Sequence, residues 1–197
     1  MREESQTMAR PIETIEYLSK DKVFLRWKIK QQMARKSPYF LGKEIFGYNK
    51  FCETQLEWDK WIREIIDPKK RTKTLLLIEM PRETLKTTFF SVTLPAWLLA
   101  NDPNMSILLA NEVCGNAMSF LHEIKGNLEC EDFQHLFGNW SAGRHHSGGW
   151  GSGSIEIAPR KKYKKEASID TAGIGATVTS KHFDVVILDD IAGPDDR

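Results

Sequence analysis

Across residues 20–36 the apolar side chains Val23, Phe24, Trp27, Ile29 and Met33 recur among Lys20, Lys22, Arg26, Lys28, Lys30, Arg35 and Lys36. That spacing is close to the helical period and predicts a basic, roughly amphipathic helix. Ser37-Pro38 ends it, because the residue before a proline is steered out of the helical region. Residues 51–66 predict a second helix with Phe51, Leu56, Ile62, Ile65 and Ile66 as core positions, stopped by Asp67-Pro68. The texture then changes. Residues 74–78 (TLLLI) form a short continuous apolar run, the mark of a strand buried on both faces of a parallel sheet. Residues 106–110 and 183–190 read in the same way, and helix-length stretches follow Lys86 and span residues 111–129. A glycine-rich connector, 138–153, leads to short extended segments at 155–157 and 167–170. Buried strands alternating with helices predict an α/β fold with a mostly parallel sheet.

Composition narrows the class. The 197 residues suffice for one core with an added arm but leave little room for two catalytic domains. With 41% hydrophobic and 28% charged residues, the chain is neither disordered nor low in complexity. Its 28 basic and 27 acidic residues leave a net charge of +1, so any nucleic-acid or membrane contact has to be local. Three cysteines, Cys52, Cys114 and Cys130, are widely spaced with no CxxC pair, which fits a reducing cytosol. The polar start of the chain lacks the apolar stretch of a secretory signal, and no apolar run approaches bilayer length. The expectation is a soluble intracellular protein without a membrane partner.

Two segments carry chemistry. A predicted strand ends at Glu79, a tight segment follows, and Lys86-Thr87-Thr88 opens a helix. This is the strand–loop–helix context in which backbone N–H groups cradle phosphates. The usual pattern has glycine six residues before the lysine and again just before it, where this chain has Met80 and Leu85. Alone, the segment therefore reads as a solvent-facing lysine at a helix start. The second segment reverses that reading. Residues 183–190 (FDVVILDD) form an apolar strand closed by two acids, as a Walker B segment does. Ligands of α/β sheets sit beyond the carboxyl ends of the strands. Lys86 and Thr87 are thus expected to face Asp189 and Asp190 across one nucleotide.

These motifs make the chain resemble the ATPase half of a tailed-bacteriophage terminase large subunit. Residues 37–48 (SPYFLGKEIFGY) resemble that family's lead-in, residues 80–88 (MPRETLKTT) its deviant Walker A, and residues 107–112 (ILLANE) the strand and turn that follow. The most specific match is residues 168–184 (SIDTAGIGATVTSKHFD), which run straight into the acidic strand. The resemblance implies a P-loop, RecA-like sheet of the additional-strand type, with a helical arm over residues 1–66 and an ATPase core over residues 67–197. It implies ATP and Mg²⁺ as cofactors, bound along Pro81, Arg82, Glu83, Thr84, Leu85, Lys86, Thr87 and Thr88. Thr87 and Asp189 would hold the metal, Lys86 the phosphates, Arg82 the charge building on the γ-phosphate, and Asp190 the attacking water. Gln55 falls near the place of an adenine-recognising residue, and an exposed helix glutamine explains it equally well. Double-stranded DNA, a small terminase subunit, a portal and a ring of identical copies would be the partners, at the procapsid in the host cytoplasm. The family's coupling segment and nuclease domain are not found in these residues, so the chain reads as a C-terminally truncated portion. A nucleotide-binding remnant without turnover, or another P-loop DNA motor of helicase or repair type, are the rival readings.

Other candidates are weaker. Residues 160–165 (RKKYKK) could follow a DNA backbone with Tyr163 stacking, or form a solvated hairpin tip. His145-His146 has no acid or cysteine at ligand spacing and reads as a loop. Trp58, Trp61 and Trp97 read as packing residues. Ser147, Ser152 and Ser154 lack the G-x-S-x-G elbow of a hydrolase.

Overall fold

The computed structural model describes residues 11–66, 75–141, 149–176 and 180–191. The helix stop at Asp67-Pro68, the His145-His146 pair with Ser147, and residues 177–179 of the terminase-like stretch lie outside them. Helix α1 (Pro11–Lys36) ends where the proline predicts. Ser37 turns extended, at φ −143° and ψ 114°, and its hydroxyl accepts from the Phe40 N–H at 3.0 Å. It thereby caps α2 (Pro38–Phe40), with Pro38 in the first turn where its missing N–H costs nothing. A π-helical turn, Leu41–Ile45, follows.

Helix α3 (Glu53–Ile66) buries Gln55, Trp58, Asp59 and Ile62. Together with Phe51, which is also buried, these positions form one helical stripe. Leu56 lies one step off the stripe and is exposed, so the core position expected there falls to Trp58. Residues 75–80 depart further from expectation. They run extended but pair with no strand among the described residues. Leu76 and Ile78 pack on the core, whereas Leu75 and Leu77 are 84% and 82% exposed. Successive side chains of an extended segment point to opposite sides, so a segment covered on one side buries only every second residue. The apolar run is the right composition for a strand, and the neighbours that would complete it are not in the sheet.

A π-helical turn, Thr88–Thr93, continues into α4 (Leu94–Asn101). Pro95 offers no N–H to the Ser91 carbonyl and would crowd it, and the wider turn upstream accommodates both effects. Then come β1 (Ile107–Asn111), α5 (Cys114–Glu129), α6 (Glu131–Phe137), β2 (Ser154–Ile155), β3 (Ile169–Gly173) and β4 (Val185–Asp189). The sheet order is β2-β3-β1-β4. β1 is parallel to both β3 and β4, and the short β2 is antiparallel to β3. The result is an α/β fold with a mixed four-stranded sheet flanked by helices.

One apolar cluster joins the N-terminal helices to the sheet. Phe89 is fully buried, with ring centroids of Phe51, Trp58 and Phe90 at 5.8, 5.6 and 5.0 Å. Leu41 and Ile45 from the lead-in, and Ile107, Leu109 and Ile169 from the sheet, belong to the same cluster. No helix among the described residues is long and apolar enough to cross a membrane.

Candidate functional site

Parallel pairing brings three strand ends to one place. Asn111, the last residue of β1, is in register with Gly173 of β3 and Asp189 of β4. The helix that begins at Lys86 ends up against the same edge. Lys86 Nζ donates to Asp190 Oδ1 at 3.0 Å, joining residues 104 positions apart. Ser91 Oγ, one turn further along, donates to Asp189 Oδ2 at 2.8 Å. Asn111 Nδ2 donates to the Asp189 carbonyl at 2.7 Å, and the Glu112 N–H to the Asp190 carbonyl at 3.2 Å. Asn111 Oδ1 also accepts from Val113 N and Asn116 Nδ2, both at 3.0 Å, and so shapes the turn into α5. Lys86, Asp189 and Asp190 are brought together as the sequence predicts. Ser91 and Asn111 were not singled out there. Their signal is a polar residue inside an otherwise apolar stretch, FFSVTL and ILLAN, and both are buried.

The loop before Lys86 holds its shape without glycine. Glu83 and Leu85 have φ of +67° and +60°, the left-handed region that glycine enters freely and other residues enter at a cost of roughly 1–2 kcal/mol. Leu85 occupies the place where the phosphate-loop pattern has glycine, and it adopts the conformation a glycine would supply. A left-handed residue followed by right-handed ones turns successive N–H groups toward one side, an arrangement that suits anions. Asp190 shares the feature, at φ +45°. Such outliers concentrate at functional sites, where the surroundings over-determine them. Arg82 and Glu83 are exposed on the turn, and Thr84 Oγ1 donates back to the Pro81 carbonyl at 2.9 Å. Thr87 and Thr88 sit half-buried in the first helical turn.

Part of the over-determination comes from α3. Gln55 is buried, not exposed. Its Nε2 donates to the Thr84 carbonyl at 2.6 Å while its Oε1 accepts from Cys52 N at 2.9 Å and from Cys52 Sγ at 3.3 Å. It braces the loop against the start of α3. The Cys52 thiol is held below the usual range, chiefly by hydrogen bonds from Thr54. Asp59 does equivalent work for the lead-in, accepting from Ser37 Oγ at 2.7 Å, Tyr39 N at 3.1 Å and Arg63 Nε at 3.0 Å.

Lys86, Thr87, Asp189 and Asp190 supply one ammonium, one hydroxyl and two carboxylates. Among the described residues no group of three or more His, Cys, Asp and Glu side chains could hold a metal ion. A divalent cation here would therefore rely on one or two carboxylates, a hydroxyl, water and phosphate oxygens, which is how Mg²⁺ is usually held. Lys86 is 30% and Asp190 71% exposed, so leaving their pairing costs the lysine at most about 1 kcal/mol. The ammonium can exchange the carboxylate for a phosphate cheaply.

The basic segment 160–165 lies elsewhere. Lys164 Nζ donates to Asp184 Oδ2 at 2.6 Å, and that oxygen also accepts from the Ser106 N–H at 2.8 Å. Arg160 donates to the Glu166 carbonyl and to Ser106 Oγ, both at 2.8 Å, and Lys165 to the Ser180 carbonyl at 3.0 Å. These contacts sit at the beginnings of β1 and β4, about 20 Å of strand from Asp190. The Lys161 and Lys162 N–H groups donate to Asn104 Oδ1 at 3.1 and 2.9 Å, while the side chains of Lys161, Lys162, Tyr163 and Lys165 are exposed. Comparisons with protein-family models, with curated proteins and with solved structures find no match to this chain.

Proposed function

We propose that the loop 81–88 and the acids Asp189 and Asp190 bind and hydrolyse magnesium ATP. In this reading the chain is the ATPase portion of a motor of the tailed-phage terminase type, and hydrolysis drives double-stranded DNA into a procapsid. The observation that supports it is the meeting of Lys86 with Asp190 at 3.0 Å, at the carboxyl ends of the parallel strands and beside a glycine-free loop that nevertheless adopts glycine's conformation. Lys86 and the loop N–H groups bind the phosphates. Thr87 and Asp189 would hold Mg²⁺, and the chemistry such an ion would supply is neutralisation of charge on the transferred phosphoryl group. Asp190, released by Lys86, accepts a hydrogen bond from the attacking water, and Arg82 opposes the charge that develops on the γ-phosphate. A P-loop sheet of the RecA-like, additional-strand type belongs to this reading. So do a small terminase subunit, a portal and a ring of copies as partners in the host cytoplasm.

Phosphate release by the purified chain with Mg²⁺, ATP and duplex DNA tests it, beside Lys86→Ala and Asp190→Asn. Removing either group is expected to abolish turnover. Wild-type release no higher than the Lys86→Ala background refutes hydrolysis. A second reading, nucleotide binding without turnover, is favoured by segment 75–80, which pairs with no strand among the described residues. That reading requires Mg-ATP to bind the wild-type chain and not the Lys86→Ala variant, with no release from either.

A further inference from the structure

Gln55 is 2% exposed, and both ends of its amide are in use. The Cys52 N–H can only donate and the Thr84 carbonyl can only accept, so a single orientation of the amide serves both. Oε1 takes the Cys52 N–H at 2.9 Å and the Cys52 thiol at 3.3 Å. Nε2 holds the Thr84 carbonyl toward α3 at 2.6 Å, across 29 residues of chain. The carbonyl and the N–H of one trans peptide point in opposite directions. Holding the Thr84 carbonyl against Gln55 therefore turns the Leu85 N–H away from α3. Among the described residues that N–H has no acceptor. Leu85 is also a left-handed residue, at φ +60°. A half-turn of the Thr84–Leu85 peptide plane would carry its φ to about −120°, on the side of the map that leucine favours, and would exchange the positions of carbonyl and N–H. The hydrogen bond from Gln55 opposes that flip.

We infer that Gln55 is a positioning residue for the phosphate loop: by fixing the Thr84–Leu85 peptide it presents the Leu85 N–H to a phosphate oxygen, and it takes no part in reading the base. The inference rests on the reading of loop 81–88 as a nucleoside triphosphate site. Lys86 and Thr87 open the helix, so the Leu85 N–H is the first of a run of donors where phosphate oxygens gather. A flipped peptide would set a carbonyl oxygen against that anion, so Gln55 decides the sign of the contact. Base recognition asks something else of a glutamine. Adenine is read by an amide that offers its donor and its acceptor together. Here Oε1 already receives two donors, and the side chain is closed off from solvent. ATP, GTP and a triphosphate without a base are thus held through the same loop, and Gln55 matters equally to all three.

The test titrates the full chain calorimetrically with ATP, GTP and inorganic tripolyphosphate in a Mg²⁺ buffer. The wild type is expected to bind all three, and Gln55→Ala to weaken each by about tenfold, the worth of one hydrogen bond to a charged group. Gln55→Glu keeps the size of the side chain and makes the effect switchable. Its neutral carboxyl can donate to the Thr84 carbonyl, and its carboxylate cannot. The tripolyphosphate affinity of Gln55→Glu, taken as a ratio to the wild type at each pH, should therefore fall about tenfold between about pH 5 and about pH 8. A residue that merely filled space would give a flat ratio. Should Gln55→Ala lack the circular dichroism of the wild type, the pH-dependent ratio decides alone. The inference is overturned if a folded Gln55→Ala binds as the wild type does, if it loses ATP while keeping GTP and tripolyphosphate, or if the ratio is flat. A wild type that binds none of the three refutes the phosphate-site reading itself, and the inference with it.

Discussion

The left-handed backbone at Leu85 can be tested by the sign of one comparison. Leu85→Ala and Leu85→Gly both remove the side-chain packing at this half-buried position, so their difference isolates the backbone. At φ +60° an alanine keeps a cost of roughly 1–2 kcal/mol that glycine does not. Glycine gives back roughly 0.5–1 kcal/mol because its unfolded chain is more flexible. The Leu85→Gly variant should therefore be more stable than Leu85→Ala, by about 0.5–1 kcal/mol. With a urea dependence near 2 kcal/mol per molar, that is a midpoint higher by about 0.3–0.5 M. Gly126, inside α5 with nothing within 4 Å of an added Cβ, is the control. There Gly126→Ala should stabilise by about 1 kcal/mol, the opposite order for the same two residues. Urea titrations followed by tryptophan fluorescence measure both. If alanine is the more stable residue at position 85 as it is at 126, the loop is not left-handed there and its likeness to a phosphate cradle fails.

Three further outcomes follow from the fold. Asp59→Ala should cost about 3 kcal/mol in urea unfolding, because it strips Ser37, Tyr39 and Arg63 of one buried acceptor at once. Gly42→Ala should destabilise by about 1–3 kcal/mol, since its Cβ would lie 2.5 Å from Phe51 in the aromatic core. Asp184 should contribute to acid stability: partial burial opposes its charge, but Lys164 and the Ser106 N–H outweigh that and hold its carboxyl below the usual 3.8. A lowered carboxyl stabilises above its unfolded value and loses that contribution as the pH falls through the folded one. Asp184→Asn should therefore remove about 1 kcal/mol at neutral pH and flatten the loss of stability below about pH 4, as read from unfolding midpoints against pH.

Local pattern made much of this legible. β1 and β4 fall within a residue or two of the apolar runs 106–110 and 183–190, and Ser37-Pro38 marks the end of α1. Pattern also brought Lys86, Asp189 and Asp190 to one end of one sheet. It was silent wherever a side chain's partner lies far along the chain. Gln55 and Asp59 are polar positions on a buried stripe, which only their contacts with Thr84 and Ser37 explain. The run at 74–78 has a strand's composition, yet composition does not state whether neighbouring strands exist to bury both faces. α1 is the roughly amphipathic basic helix expected, but of the apolar residues that suggested it only Trp27 packs on the core, while Val23, Phe24, Ile29 and Met33 are exposed. A helix with two apolar faces confuses a rule built for one.

The open side of β4 gives the site acids a second duty. Among the described residues its ladder runs to β1 alone, and Val186 and Leu188 are 51% and 54% exposed on a strand, VVILD, that has neither lysine nor proline. Such an edge is a template on which another chain can add a strand. The charges that interrupt it are those at its two ends, Asp184 on one side and Asp189 with Asp190 on the other, in the flanking positions where gatekeeper residues discourage stacking. Neutralising Asp190 to probe catalysis therefore also removes a guard against aggregation. Activity lost in that variant has to be read beside its light scattering, and the Lys86 variant, which leaves every guard in place, is the cleaner probe of chemistry.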